Sequence, residues 1–335
     1  MPDKKPILIA GLPRSGTTWV SNVLSTSDTT YLHEPDNEKL YLMAFHAKRQ
    51  LNRFPYLRAD DSHTKFARLW TAVFKGDEAV SARLKHPLLR LTDDVIEYDV
   101  ERKCQRFHDD STENSLRHTT NLRALSPIER VRLGALSPLV YYEHARKREY
   151  KGKLIVKSVH MPLALSWFRK QYEIPTLLVL RHPFDIASSH LRLNMPDADR
   201  NVCSQSPLCR DVIDSRSPST SEPLTSRLAY QLAIMKKVVE QTVSQDKGII
   251  VVHHEALCLD PINRFKDICL KLDLPWSSEI EHKISDLDRK GPDGYSLRRK
   301  TREQVGKWKK ELSPEILKTL RTTFESVGVS ESWTL

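Results

Sequence analysis

The sequence predicts an α/β fold, with a P-loop-type parallel sheet flanked by helices and a helical insertion in the first half of the chain. Two observations predict it. Short apolar runs of the kind that form buried strands alternate with segments whose apolar residues recur at helical spacing. In addition, a loop bounded by glycines follows the first apolar run and precedes the first helical segment.

The first elements lie early in the chain. Residues 6–10 form a short apolar run that ends at Gly11, which predicts a buried strand. Residues 19–24 carry apolar side chains at helical spacing, and residues 29–32 form a second, short strand. From about residue 40 to residue 150 the chain is basic and helix-like with little strand character, so we predict a helical insertion over 40–150.

The remaining elements follow that insertion. Apolar runs predict three more strands, the last of them clearly buried, at residues 153–156, 176–180 and 249–252. Helical periodicity predicts helices at residues 184–193, 224–243 and 260–272. Asp260 is the predicted N-cap of the last helix and Pro261 its first residue. Residues 196–223 are rich in Ser, Pro and Asp without periodicity, which is typical of a mobile loop.

The composition is that of a globular protein. With 39% hydrophobic and 29% charged residues, the 335-residue chain is too apolar to be disordered, and we expect a single domain over 1–335. Five cysteines, an odd number, favour a reducing compartment over a disulfide framework. No apolar run is long enough to span a membrane, and an apolar run at residue 6 leaves no room for a signal peptide. We therefore expect a cytoplasmic protein.

The excess positive charge is concentrated near the C-terminus. The formal net charge is +10, and residues 289–310 hold nine Lys and Arg against two acidic residues, a surplus of seven. A positive surplus indicates an anionic partner. Because the surplus is so local, the pattern favours an anion site over a nucleic-acid-binding face.

The first motif joins the first predicted strand to the first predicted helix. Gly11 and Gly16 match the glycines of G-x-x-x-x-G-K-[ST], a loop in which backbone N–H groups and a helix N-terminus hold phosphate. Thr17 replaces the lysine that binds β- and γ-phosphates, and Arg14 supplies a cation inside the loop instead. The alternative interpretation is a plain strand–turn–helix with unrelated glycines.

The second motif is a strand that ends in a cation. Arg181 follows the predicted strand at 176–180, where a P-loop NTPase usually has a magnesium-binding Asp. Ser189 lies about two helical turns further on and can add a hydroxyl to the same anion. The alternative is that Arg181 pairs with Asp185. Together the two motifs favour an anion other than a magnesium-bound nucleoside triphosphate.

These motifs resemble those of the PAPS-dependent sulfotransferases. Residues 13–19, Pro-Arg-Ser-Gly-Thr-Thr-Trp, are similar to the family's 5′-phosphosulfate loop, and Arg181 with Ser189 is similar to its 3′-phosphate motif. Residues 157–165 resemble a Lys-Thr-His-Leu-Pro segment of cytosolic members. Arg14 within the loop points to a soluble, carbohydrate-type or bacterial-type branch of the family.

The resemblance implies PAPS (3′-phosphoadenosine 5′-phosphosulfate) as the donor, PAP as the product and no metal. It assigns donor binding to Arg14, Ser15, Gly16, Thr17, Thr18, Trp19, Arg181 and Ser189. The basic segment at 289–310 resembles a flap over the 3′-phosphate, with Gly306 and Trp308 in register. Its candidate phosphate ligands are Arg299, Lys300 and Arg302. The alternative is a solvated run of charge.

The implied reaction is in-line transfer of a sulfuryl group to a hydroxyl or amine. Arg14, the loop donors and Lys157 are expected to stabilise charge on the bridging oxygen. Glu34 and His160 compete for the role of general base. The resemblance favours Glu34, because a Glu-Pro at this place accompanies an Arg-containing loop in carbohydrate-type members. His160 matches the histidine of cytosolic members with one extra residue before it.

Two other functions compete with this interpretation. A kinase that uses Mg-ATP is disfavoured by Thr17 and Arg181, and a non-catalytic nucleotide or nucleic-acid binder by the narrow charge cluster. We expect a small-molecule, lipid or carbohydrate acceptor, held by the insertion at 40–150 and the loop at 196–223. Four aromatic residues either line that pocket or belong to the core, namely Tyr41, Trp70, Tyr141 and Tyr142.

Overall fold

A five-stranded parallel sheet forms the centre of the molecule. The computed structural model describes residues 5–38, 40–48, 51–76, 149–193, 208, 211–212, 222–291 and 297–334. The strands are β1 (Ile7–Gly11), β2 (Thr29–His33), β3 (Lys153–Ser158), β4 (Thr176–Leu180) and β5 (Ile250–His253). Their order is β2-β3-β1-β4-β5, and every neighbouring pair is parallel. The predicted sheet is therefore confirmed.

The strand bounds and burial differ from the prediction in two respects. β2 and β3 extend through His33 and Ser158, so that Lys157 lies within β3 rather than after it. Strands β1, β3 and β4 are buried along their whole length. The prediction that the last strand is buried was wrong: β5 is half-buried, because it lies at the edge of the described sheet and pairs there with β4 alone.

Helices flank the sheet and connect its strands. The α-helices of the described residues are α1 (Thr17–Leu24), α2 (Leu42–Ala47), α3 (Thr64–Lys75), α4 (Leu165–Gln171), α5 (Pro183–Arg192), α6 (Leu224–Gln245), α7 (His254–Leu259), α8 (Pro261–Lys271), α9 (Ser278–Leu287), α10 (Trp308–Glu311) and α11 (Pro314–Val327). Short 3₁₀ turns occur at Pro162–Ala164 and Thr301–Gln304. Over the ranges that the structure describes, no helix combines the length and the apolar character needed to cross a membrane.

The predicted helices agree with α1, α5, α6 and α8 to within a few residues, and Pro261 is the first residue of α8. Two helices, α2 and α3, fall in the predicted insertion at 40–150. Residues 77–148 lie outside the described residues, so the extent of the insertion stays a prediction. The same holds for most of the predicted mobile loop at 196–223.

The sheet separates two apolar cores, because successive side chains of a strand point to opposite faces. From β1, Leu8 and Ala10 face a core built with α2 to α6 and α11. Ile7 and Ile9 face a second core built with α1, α7, α8 and α9. Tyr41 and Trp70 are buried in the first core, which fits the core interpretation of these two aromatics. Tyr141 and Tyr142 lie outside the described residues.

The glycine loop after β1, the segment after β3 and the arginine after β4 all lie at one edge of the sheet. In a parallel sheet the carboxyl ends of all strands lie together, and ligands bind beyond them. The register pairs Ala10 with Ser158 and Gly11 with Val179, so the ends of β3, β1 and β4 are adjacent. This edge therefore gathers the glycine loop, the segment after β3 and the cation after β4.

Candidate active site

The loop between β1 and α1 is folded tightly around its two glycines. Gly16 has a φ of +96°, and a Cβ atom at this position would clash with the ring of His254. A Cβ atom at Gly11 would lie 2.6 Å from the carbonyl oxygen of Val179 in β4. Arg14 also has a positive φ, 71°. Packing therefore requires glycine at both motif positions.

Two arginines and a serine from separate segments meet at this loop. Nε of Arg14 donates to Oγ of Ser189 on α5 at 3.0 Å. Nη1 of Arg181, directly after β4, donates to the carbonyl oxygen of Arg14 at 3.1 Å. The two motifs that are 167 residues apart in the chain thus form one cluster. Two guanidinium groups and a hydroxyl side by side favour a phosphate-like anion.

The sequence alternative pairs Arg181 with Asp185. In the structure Asp185 has a different partner, since its Oδ1 accepts the backbone N–H of Trp308 at 3.0 Å. Burial raises the pKa of Asp185, although the nearby charge of Arg181 opposes the shift. The Arg181 guanidinium is therefore available to contact the loop after β1.

Buried polar atoms of the cluster fit an anionic ligand. Nε of Arg181 and Oγ of Ser15 are both buried without a hydrogen-bond partner among the described residues. Buried polar groups are nearly always hydrogen-bonded in folded proteins. Phosphate or sulfate oxygens would satisfy both atoms, because oxygens of this type accept hydrogen bonds from N–H and O–H donors.

The other predicted loop residues begin helix α1. Thr17 is buried and Thr18 half-buried. Trp19 packs in the second core, with its ring edge-on to Phe265 at 5.4 Å between centroids. Of these three residues, Trp19 is the one whose side chain is committed to core packing.

His254 fills the space behind the loop. Its buried ring lies against Gly16 and edge-on to Trp19, with 5.8 Å between the ring centroids. Burial, and then the positive charges of Arg181 and Arg299, hold the pKa of His254 well below its usual range. His254 is therefore uncharged at neutral pH and supports the loop by packing.

The basic segment near the C-terminus brings one of its three candidates close to this cluster. Arg299 is half-buried, its backbone N–H donates to Leu287 at 2.9 Å, and its charge acts on His254. Lys300 and Arg302 are exposed, and Lys300 lies 3.5 Å from Glu303. Arg299 is thus the best placed of the three to contact an anion at the loop.

The Gly-x-Trp sequence anchors the basic segment to helix α5. Gly306 has a φ of +63°, which turns the chain toward Trp308. The Trp308 ring stacks on His182 with 5.1 Å between centroids, and the backbone N–H of Trp308 donates to Asp185. Because His182 directly follows Arg181 in the chain, this anchor connects the basic segment to the second motif.

Glu34 and Lys157 form a buried ion pair on the other side of β1. Nζ of Lys157 contacts Oε1 of Glu34, and Nδ2 of Asn37 donates to Oε2 at 2.9 Å. Nε2 of His33 lies 3.8 Å from the same carboxylate. Burial alone would raise the pKa of Glu34, but the charges of Lys157 and His33 hold it well below its usual range. Glu34 is therefore ionised at neutral pH.

His160 lies behind this ion pair. Its ring is fully buried and stacks on Phe54, with 5.3 Å between centroids. Nε2 lies 3.7 Å from Oε2 of Glu34, beyond hydrogen-bond length, and has no hydrogen-bond partner among the described residues. The two candidates for general base thus belong to one group of side chains, and the structure brings them together with Lys157.

Sequence reasoning missed the residues that surround His160. Asp36 accepts a hydrogen bond from Ser158 at 2.7 Å, and burial raises the pKa of its carboxyl group. The buried Lys48 forms an ion pair with the half-buried Glu38 at 2.8 Å. The acidic residues that alternate over 34–38, Glu-Pro-Asp-Asn-Glu, could have indicated this group of side chains. No sequence signal marked Lys48, because its partners lie in three separate segments of the chain.

Over the described ranges, no group of three or more His, Cys, Asp or Glu side chains is arranged to hold a metal ion.

The comparisons with known proteins give a consistent family description. A family model described as "Sulfotransferase family" matches residues 6–278. None of the curated protein sequences matches the chain significantly. Among solved structures, the sulfotransferase domain from the curacin biosynthetic pathway is 13% identical, with 98% of this chain and 99% of that chain covered and a TM-score of 0.46. Mouse sulfotransferase SULT7A1 complexed with PAP is 11% identical, with coverages of 96% and 83% and a TM-score of 0.40. Sulfotransferase STF9 from Mycobacterium avium is 12% identical, with coverages of 98% and 78% and a TM-score of 0.40.

Proposed function

Because the chain belongs to the sulfotransferase family, we propose that it transfers a sulfuryl group from PAPS to a hydroxyl or amine and releases PAP. The observation that carries this proposal is the cluster of Arg14, Arg181 and Ser189 at the loop after β1. The first motif resembles the family's 5′-phosphosulfate loop and the second resembles its 3′-phosphate motif. Both groups belong to one PAPS molecule, so the two motifs must lie close together to bind it. A kinase is less well supported, because Thr17 stands at the lysine position of the loop.

The donor would be held by this chain's cations and loop amides. Residues 13–19 would surround the 5′-phosphosulfate, with the N-terminus of α1 directed at it. Arg181, Ser189 and Arg299 would bind the 3′-phosphate. The buried, unpartnered Nε of Arg181 and Oγ of Ser15 support this assignment, since both atoms need a partner that the described protein atoms do not supply.

The chemical step places negative charge on the oxygen that leaves with PAP. The cations proposed to stabilise it are Arg14, in the loop after β1, and Lys157, in the neighbouring strand β3. Hydrogen-bond donors that stabilise such charge contribute most in a site shielded from water. Lys157 has a second effect in this proposal. As its ammonium turns toward the leaving oxygen, its pair with Glu34 weakens and the carboxylate becomes a stronger base.

Glu34 is the proposed first acceptor of the proton. The acceptor's O–H bond breaks, its proton goes to the Glu34 carboxylate, its oxygen bonds to sulfur, and the bond from sulfur to the bridging oxygen breaks. The exposed fractions of the two side chains support Glu34, rather than His160, as the first acceptor of the proton. The Glu34 side chain is 11% exposed, whereas that of His160 is 0% exposed. A group that meets the acceptor must be reachable from solvent.

The acceptor is proposed to be a small molecule, lipid or carbohydrate that carries a hydroxyl or amine. It would lie on the β2–β3 side of the edge, where Glu34 and Lys157 are found. This part of the proposal rests on the position of these two residues and on the sequence.

A ligand series tests the donor. Calorimetry and thermal-shift measurements would compare PAP, ATP with Mg²⁺, and single-stranded DNA. We expect PAP to bind and to raise the Tm without added metal, whereas the other two ligands leave it unchanged. Absence of PAP binding would overturn the proposal, and magnesium-dependent ATP binding would favour the kinase. Incubating a metabolite extract with ³⁵S-labelled PAPS, followed by mass spectrometry, then identifies the acceptor.

A further inference from the structure

We propose that Asp288, at the end of α9, is a positioning residue that holds Arg299 where its guanidinium can contact the 3′-phosphate of the donor. The proposal deepens the proposed function, on which it rests. Asp288 would touch neither the donor nor the reacting atoms. It would act through Thr301, the first residue of the 3₁₀ turn that begins two residues after Arg299.

The contact between Asp288 and Thr301 joins two segments that are 13 residues apart in the chain. Oδ1 of Asp288 accepts the backbone N–H of Thr301 at 2.7 Å and its hydroxyl at 3.0 Å. Thr301 is buried. The first N–H groups of a helical turn have no partner within that turn, so an acceptor from outside fixes where the turn begins.

The same end of α9 also holds the backbone of Arg299. The N–H of Arg299 donates to the carbonyl oxygen of Leu287 at 2.9 Å. Asp288 is the C-cap residue of α9, and its own N–H donates to the carbonyl oxygen of Ile284 at 3.1 Å. Two consecutive residues of a fixed helix end therefore bind the basic segment, one at Arg299 and the other two residues later.

The 3₁₀ turn connects this backbone anchor to the Arg299 side chain. Nη1 of Arg299 lies 3.5 Å from Oε1 of Gln304, the last residue of the turn. Nε2 of Gln304 donates to the carbonyl oxygen of Lys300 at 3.3 Å, so its amide group is oriented from within the same segment. The charge of Arg299 acts on His254 behind the glycine loop. A displaced turn would therefore move the guanidinium relative to that loop.

Asp288 supplies an acceptor oxygen to this contact, and its charge has no part in it. Both donors on Thr301 are uncharged, an N–H and an O–H group. The C-terminal end of a helix carries partial negative charge, so a carboxylate there is electrostatically unfavourable. The residue is also exposed, so its truncation opens no cavity in the core. An asparagine at this position should therefore keep the anchor, and an alanine should remove it.

The same helix carries a matched contact at its other end. Oε2 of Glu279 accepts the backbone N–H of Ser27 at 3.0 Å and its hydroxyl at 3.2 Å. Ser27 precedes β2, so it lies at the sheet edge opposite to the donor cluster. Glu279→Ala thus removes the same kind of hydrogen-bond pair from α9 without touching the basic segment.

Calorimetry with PAP and with AMP, which lacks the 3′-phosphate, tests the proposal. In Asp288→Ala we expect the PAP affinity to fall by up to about tenfold, the loss expected for Arg299→Ala itself, and the AMP affinity to stay unchanged. Asp288→Asn should keep both wild-type affinities, because its side-chain oxygen still accepts the two hydrogen bonds. Glu279→Ala should lower the Tm and leave both affinities unchanged.

A double-mutant cycle shows whether Asp288 acts through Arg299. In the Arg299→Ala background, Asp288→Ala should cause no further loss of PAP affinity. A purely structural contribution would instead add to the loss in that background and would lower the AMP affinity as well. Additive losses of PAP affinity, or equal losses for the two ligands, would overturn the proposal.

Unchanged PAP affinity in a folded Asp288→Ala variant would also overturn it. Should that variant not fold, Thr301→Val removes only the hydroxyl contact and should lose PAP affinity while it keeps AMP affinity. Unchanged PAP affinity in Thr301→Val would then reject the positioning role. A wild-type protein that does not bind PAP would reject the proposed function together with this role, whereas PAP binding that does not depend on Asp288 would reject the role alone.

Discussion

At the scale of single residues, Glu34 combines two properties that rarely occur together. It is buried, which disfavours a charge, and it is held ionised by Lys157 and His33. Its φ of +47° is also uncommon for a residue with a side chain. Backbone conformations of this type are found at functional sites, where the surrounding structure compensates for their cost. The backbone thus supports the role that the contacts of the carboxylate suggest.

Glu34→Gln should abolish most of the activity. The amide keeps the size of the side chain but cannot accept the proton, and loss of a general base costs about 100-fold or more. Turnover of ³⁵S-labelled PAPS with the identified acceptor measures the effect. His160→Ala is the comparison, with a smaller loss expected because Glu34 still receives the proton. Nearly full activity in Glu34→Gln would show that the base is a different residue.

Glu38→Gln should change the acid stability of the protein. The folded-state pKa of Glu38 is about 2, against 4.5 for an unperturbed group. The carboxylate therefore stabilises the folded state above pH 4.5, and this contribution is lost as the pH falls from about 4.5 to about 2. Its size is on the order of 3 kcal/mol.

Urea unfolding at several pH values measures that loss. The free energy of unfolding of Glu38→Gln should fall less steeply between pH 4.5 and pH 2 than that of the wild type. Glu325, an exposed residue of α11, provides a control through Glu325→Gln, which should keep the wild-type slope. Equal slopes in all three proteins would contradict the assignment of the Glu38–Lys48 pair.

At the scale of elements, the loop before α1 depends on a histidine from a distant helix. Gly16→Ala should destabilise the fold and weaken PAP binding, because a Cβ atom there meets the His254 ring and the φ of +96° disfavours any side chain. Gly328→Ala is the matched control. It has a φ of +75° but nothing within 4 Å of the added carbon.

Calorimetry with PAP and thermal unfolding separate the two effects of these substitutions. Both variants should lose about 1 kcal/mol or more from the unfavourable backbone conformation. Only Gly16→Ala should also lose affinity for PAP. Equal PAP affinity in both variants would mean that the loop does not contact the donor.

Arg299, in the basic segment at 289–310, is a further residue whose substitution should change PAP affinity. Arg299→Ala should weaken PAP binding by about tenfold, the order expected when a hydrogen bond to a charged group is lost. Arg302→Ala should have a much smaller effect, because Arg302 is exposed. Calorimetry at a fixed salt concentration makes the comparison. A larger loss in Arg302→Ala would show that the segment rearranges around the ligand.

Much of the fold could be predicted from the sequence, because local patterns determine it. The strand at residues 176–180 was predicted with the bounds that β4 has, since its apolar run is bounded by Pro175 and Arg181 and short apolar runs of this kind form the buried strands of parallel sheets. The burial of β5 could not be predicted. Its apolar residues are those of a central strand, and its place at the edge depends on the order of the sheet.

The candidate site could be predicted only where its residues stand in a recognisable motif. Arg14, Arg181 and Glu34 each follow a strand, so their common edge was foreseeable. The contacts of Lys48 were not foreseeable, whereas a supporting role is typical of adjacent histidines at a strand end, such as His253 and His254. Lys48 contacts two backbone carbonyls, which leave no mark in the sequence, and His254 supports the loop by its shape.

At the scale of the whole molecule, the segment after α11 returns to the carboxyl end of β4. Nε1 of Trp333 donates to the carbonyl oxygen of Arg181 at 2.8 Å. The ammonium of Lys236 lies 5.2 Å from the Trp333 ring centroid and pairs with Glu240. The residues near the chain end therefore support the strand end from which Arg181 projects.

Trp333→Phe should lower both the stability and the affinity for PAP. The substitution keeps an aromatic ring beside Lys236 but removes the donor to Arg181, a loss of about 1 kcal/mol. Thermal unfolding and calorimetry with PAP measure the two effects. Trp276→Phe is the control, since Nε1 of Trp276 donates at 2.8 Å to the exposed Glu281. An unchanged PAP affinity in Trp333→Phe would show that this support does not extend to the binding site.

The strand order separates the residues proposed to bind the donor from those proposed to lie beside the acceptor. The cations proposed to hold the donor follow β1 and β4, whereas Glu34 follows β2, Lys157 lies in β3 and His160 follows β3, on the opposite side of β1. The two groups of residues share a sheet but use different helices and different connecting segments. Under the proposed function, substitutions on the β2–β3 side that spare Lys157 are therefore expected to change acceptor preference while the residues proposed to bind the donor stay intact.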